Sequence, residues 1–97
     1  MALKDNYMGY SRSNMIYSDY QWPESSKNNA DLTGNPKHVH FNPRDGYHVL
    51  YLINNFLKTN GLVTKGAGVK AEIFLHDKFP PYLDTQLKAL SFLYKKW

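Results

Sequence analysis

Asn42–Gly61, NPRDGYHVLYLINNFLKTNG, is the stretch whose reading decides the fold. Val49, Leu50, Ile53, Phe56 and Leu57 recur at threes and fours, the spacing that gathers side chains on one wide helical face. The flanks carry start and stop signals. Asn42 is a good N-cap, Pro43 suits the first helical position because its missing N–H costs nothing there, and Asp45 completes a weak capping box at the positive dipole end. Lys58 falls in the last turn and Gly61 offers a left-handed stop. The pattern predicts a helix over about 43–60.

Working toward the C-terminus, Leu62–Gly68 reads as a connection. Gly66-Ala67-Gly68 lacks the spaced glycines and the Lys-Ser/Thr pair of a phosphate loop, so no nucleotide site follows from it. Val69–Phe79 supports two patterns. As a helix over about 68–79 it gathers Ala71, Phe74, Leu75 and Phe79; as a strand it alternates Val69, Ala71, Ile73 and Leu75 against Lys70, Glu72, Phe74 and His76. Its length favours the helix, and Pro80-Pro81 ends it. A further helix over about 82–96 places Leu83, Leu87, Leu90, Tyr94 and Trp97 on one stripe, with Asp84 near the positive end and Lys95 and Lys96 near the negative one. Trp97, the last residue of the chain, is expected to pin that helix end to the core.

Toward the N-terminus the signals change. Residues 1–41 are rich in Tyr, Asn, Ser and Pro without a long period, and the stretch from Glu24 to Pro36 reads as a polar loop. Tyr7, Tyr10, Tyr17, Tyr20 and Trp22 crowd this arm; they suit rings laid over a helical core, and they are also a candidate interaction surface. Lys37–Phe41, KHVHF, alternates, with His38 and His40 on one side and His48 one helical turn beyond. Two histidines on an extended segment do not make a metal site, which needs three or four converging ligands, so no metal or other cofactor is expected. The fold class expected is therefore mainly α: one domain over 1–97, about three helices, and a largely irregular aromatic arm. The alternative is α+β, with a small sheet built from about 38–41 and 69–75.

Ninety-seven residues suffice for one modest core, and 42% hydrophobic with 15% aromatic residues can fill it. The absence of cysteine excludes thiolate catalysis and disulfides. No run approaches the roughly 18 apolar residues of a membrane span. A soluble, cytoplasmic protein without a membrane partner is expected. The net charge is +4, and it resides wholly in residues 43–97, because the cations and acids of 1–42 balance.

No catalytic motif is present: there is no nucleophile elbow and no His-Glu-x-x-His, and His76 beside Asp77 would point about 100° apart on a helix. The expected function is a non-catalytic protein–protein interaction module of adaptor or inhibitor type, using aromatic and basic surface. The alternative is a nucleic-acid-binding protein, in which the last two helices resemble a helix-turn-helix pair in outline and Arg44, Lys65, Lys70, Gln86, Lys88, Lys95 and Lys96 supply contacts. A homodimer is the natural outcome if an apolar patch is left exposed.

Overall fold

Each long helix begins where a short polar side chain can cap it, and these caps shift the boundaries that periodicity suggests. The computed structural model describes residues 9–97. It contains four α-helices, α1 (Glu24–Lys27), α2 (Gly46–Thr59), α3 (Lys65–Asp77) and α4 (Gln86–Lys96), with single 3-10 turns at Arg12–Asn14 and Ala30–Leu32. The loop expected between Glu24 and Pro36 thus holds α1 and one of these turns.

The cap of α2 is Asp45, whose carboxylate accepts from the Tyr47 and His48 amides at 2.9 and 3.4 Å. Asn42 is not the cap. Its side chain accepts from Arg44 N instead, and its own N–H is donated to His48 Nδ1 at 3.1 Å. The helix closes as expected. Gly61 adopts φ +65°, and the Gly61 and Leu62 amides return to the Lys58 and Leu57 carbonyls at 3.3 and 2.9 Å, a Schellman stop.

Helix α3 starts earlier than expected because Thr64 caps it, accepting from Ala67 N at 3.2 Å. The glycine-rich stretch read as a connection is therefore its first turn. Gly68 has a packing reason to be there: a Cβ at this position would lie 2.3 Å from the Tyr10 ring. Helix α4 starts later, after Thr85, which accepts from Lys88 N at 3.2 Å. Asp84 and Thr85 lie along the KHVHF segment, with Phe41 N donating to Asp84 O at 2.8 Å and Gln86 N to Val39 O at 2.9 Å. This pairing yields one antiparallel bridge, His40 with Thr85, and among the described residues there is no sheet. The α+β alternative fails because residues 69–75 lie inside α3, whose hydrogen bonds close within the helix.

The core joins Val49, Leu52, Ile53, Phe56 and Leu57 of α2, Ala71 and Leu75 of α3, and Ala89, Phe92 and Leu93 of α4, with Phe41, Tyr10 and Tyr20 added from outside the helices. Helix α4 is rotated from its expected stripe. Gln86, Ala89 and Leu93 face inward, whereas Leu87 and Leu90 are half-buried and Tyr94 and Trp97 are exposed. The rotation follows from the need of the buried Gln86 amide for partners. It accepts from Lys37 N at 2.9 Å and donates to Asp31 O at 2.8 Å, docking the helix start on the loop. Among the described residues no helix is long and apolar enough to cross a membrane.

Candidate functional site

Two clusters of side chains stand out, one on the buried face of α3 and one at the end where α2 and α4 finish and α3 begins. The first is built on Glu72, which sits in mid-α3 and is 0% exposed. A buried carboxylate must be neutralised or saturated with donors, and here four donors reach it. Tyr10 Oη and Ile16 N donate to Oε1 at 2.7 and 3.0 Å, and Tyr20 Oη and Tyr17 N donate to Oε2 at 2.9 and 3.2 Å. Every one of these donors comes from the arm. Burial and the Glu72 carboxylate together push the Tyr10 and Tyr20 hydroxyls well above the usual phenol range. The arm is held on α2 as well, where the Asn54 side chain pairs with the Tyr10 backbone, accepting from N at 2.6 Å and donating to O at 2.7 Å.

One turn beyond Glu72, His76 faces two carboxylates. Its Nε2 lies 2.8 Å from Asp19 Oδ1 and its Nδ1 lies 2.7 Å from Asp77 Oδ1. The neighbours in sequence do meet, contrary to the expected divergence, because Asp77 ends the helix and its side chain turns back onto the ring. Tyr17 stacks on His76 with centroids 3.6 Å apart, and its hydroxyl donates to Asp77 Oδ2 at 2.6 Å. That bond, with lesser help from burial, pushes the Tyr17 phenol up to about 12. Bonds from Tyr17 and then His76 hold Asp77 below the usual carboxylate range, and the His76 bond does the same for Asp19. For His76, burial pulls downward, but the bonds to Asp77 and Asp19 prevail and raise it. Asp19, Tyr20 and His76 form one wall of a cleft of about 430 Å³, with Arg44, Pro43, Leu75, Phe79 and Pro81 around it.

The second cluster is built on Trp97 and Tyr94. The Trp97 ring packs edge-on against Phe56 at 4.8 Å and Phe74 at 6.4 Å, while Tyr94 packs on Phe56 at 5.0 Å and accepts from Asn60 Nδ2 at 3.0 Å. Trp97 is thus anchored on its inner side as expected, yet 37% of it remains exposed, as does 47% of Tyr94. Lys70 Nζ lies 4.4 Å over the Trp97 ring, a cation–π contact, and donates to the Trp97 main-chain oxygen at 3.4 Å. Lys95 and Lys96, between the two rings in sequence, are exposed, with Lys96 Nζ 5.9 Å over the Phe92 ring, and Lys58 and Lys65 lie exposed on the adjoining ends of α2 and α3. The sequence holds no Asp or Glu from Gly46 to Ala71 or from Thr85 to Trp97. Three converging helix segments therefore present cations and rings without acidic side chains of their own.

The remaining candidate residues scatter. Tyr7 lies outside the described residues; Tyr10 and Tyr20 are inside the protein, and Tyr17 and Trp22 are half-buried. Trp22 packs on Tyr47 at 5.0 Å beneath Arg12, whose guanidinium carbon lies 4.1 Å from its ring. Of the expected nucleic-acid contacts, Lys65, Lys70, Lys95 and Lys96 fall at the end that carries the second cluster. Arg44 belongs to the cleft, Gln86 is fully buried, and Lys88 pairs with Asp84 at 3.5 Å. His38 and His40 are exposed, whereas His48 is buried, which holds its imidazole below the ordinary value against the pull of Asp45. Among the described residues no three His, Cys, Asp or Glu side chains are grouped to hold a metal ion.

Glu72 escaped sequence reasoning because a glutamate inside a helical pattern reads as a solvated position. Its spacing to Leu75 and Ala71 on the buried face was the available signal. Compared with known protein families, with curated proteins and with solved structures, the chain has no match.

Proposed function

We propose that this protein is a non-catalytic binding module that docks on an acidic protein surface through its lysine–aromatic end. The reading is supported above all by one observation. Trp97 and Tyr94 stand exposed where both pack on Phe56, with Lys70 over the Trp97 ring, on helix segments that carry further lysines and no acidic side chain. Tryptophan and tyrosine are the residues most often dominant in interfaces, and cations around them select an acidic partner and speed its approach. A second copy of this chain is a poor occupant, because two such faces repel.

The same rings and lysines favour nucleic acid as the second reading, since aromatic faces flanked by cations stack unpaired bases. Affinity capture from source lysate separates the two, using the wild type and the double variants Tyr94→Ala/Trp97→Ala and Lys95→Glu/Lys96→Glu. The protein-binding reading expects a partner retained after nuclease treatment and lost with both variants. Capture indifferent to both variants would refute it, as would a gel shift on single-stranded oligonucleotides that both variants abolish and salt weakens.

A further inference from the structure

The contacts around His76 demand a proton. Carboxylates without a proton only accept hydrogen bonds, and a neutral imidazole carries a single N–H. Here Nε2 stands 2.8 and 3.0 Å from the two oxygens of Asp19, and Nδ1 stands 2.7 Å from Asp77. Only the doubly protonated ring donates in both directions. In the neutral ring one nitrogen lone pair would face a carboxylate at hydrogen-bond distance, which is repulsive. The two acids belong to different parts of the chain, Asp19 to the arm and Asp77 to the end of α3. The imidazolium ties the two acids together, beside the direct bond from Tyr17 Oη to Asp77 Oδ2 at 2.6 Å.

We propose that His76 is a proton-operated latch that holds the segment Tyr17–Asp19 against the end of α3, closed as the imidazolium and open when the ring is neutral. The charged and titratable groups around it are Asp19, the stacked Tyr17 and the edge-on Tyr20 from the arm, Asp77 and Glu72 from α3, Lys78 just after it, and Arg44 across the cleft. The opening is local. The bonds that Tyr10, Ile16, Tyr17 N and Tyr20 make to Glu72 do not involve His76, so they keep the arm seated while Asp19 is released, the Tyr17 ring is left with only its hydroxyl bond to Asp77, and one wall of the cleft loosens.

The direction with pH follows from linkage. His76 is raised above its ordinary 6.5, so its contribution is complete below that value and is lost as pH rises through the folded one. Asp19 and Asp77 are lowered from 3.8, so theirs is present above that value and lost as pH falls further. The latch is closed between these limits and opens on either side.

The test is a proton NMR titration of the full chain from about pH 5 to 9, the span over which histidines change charge, following His76 Cε1–H and the Tyr17 ring protons. In the wild type His76 is expected to titrate above the ordinary histidine value, and the Tyr17 protons to lose their stacking shift with the same midpoint. Asp19→Asn and, as a second and independent variant, Asp77→Asn should each lower that midpoint. In His76→Gln the Tyr17 shifts should no longer follow pH. A His76 midpoint at or below the ordinary value overturns the latch. So does a Tyr17 ring that stays stacked while His76 titrates.

Discussion

On the buried face of α3 a carboxylate, Glu72, receives four donors from the arm; where α2 and α4 finish and α3 begins, Lys70 lies over one of two exposed rings on helix segments without acidic side chains. The difference is one of satisfaction. Removing a partner from a saturated buried network strands the others, whereas removing a solvated lysine strands nothing. The Glu72 cluster should therefore govern whether the arm folds onto the helices, and the Trp97 cluster should govern what the folded protein meets. Charge is used in the first to hold the chain together and in the second to face outward.

Glu72→Ala tests this contrast most severely. It leaves the Tyr20 hydroxyl and the Ile16 and Tyr17 amides without their acceptor, each costing ~1–3 kcal/mol if it stays buried, while the Tyr10 hydroxyl keeps Asn14 O at 3.0 Å. A loss of about 4 kcal/mol in urea unfolding is expected, close to the whole stability of many small domains. A loss below about 1 kcal/mol would mean that the arm is not anchored here.

Gly68→Ala is next and sharpens the point, because local propensity and packing disagree in sign. Helix propensity alone favours alanine by ~1 kcal/mol, but the new Cβ would press on the Tyr10 ring at 2.3 Å. Overpacking of this kind costs ~1–3 kcal/mol, so net destabilisation is expected, read as a lower melting temperature by circular dichroism. Stabilisation would show that Tyr10 gives way easily. The smallest stability effect belongs to Lys95→Glu/Lys96→Glu. Reversed charge at a helix C-terminus costs ~0.3–1 kcal/mol per residue, while capture of the acidic partner should be lost. Equal losses of stability and binding would erase the distinction between the two clusters.

How far each region can be read from sequence follows the same division. Helix α2 was legible because its apolar stripe is wide and its stop is a local Gly61 motif. The start of α3 was overlooked although its cap, Thr64, is local, because glycines in its first turn read as a connection; the start of α4 depends on partners remote in the chain. Glycine stands at 68 because Tyr10 needs the space, and α4 begins only at Gln86 because Val39 and Phe41 bond to Gln86 and Asp84. The lysine–aromatic end was half legible. The charge surplus, Trp97 and the C-terminal lysines stood out, yet their convergence with Lys70 needed the packing of α3 against α4. The histidine cluster hid for a different reason: Asp19 lies far from His76 in sequence, and ideal helix geometry speaks against the His76–Asp77 contact until the helix ends there.

The sequence by itself determined the helical class, the apolar faces that must be covered, and a basic surplus confined to residues 43–97, because periodicity and charge count are properties of the chain alone. The tertiary structure decided where α4 begins, which of its faces is buried, and that Glu72 and His76 bind the arm. Those outcomes turn on buried polar groups finding partners across the fold, and such partners exist only once the chain has closed on itself.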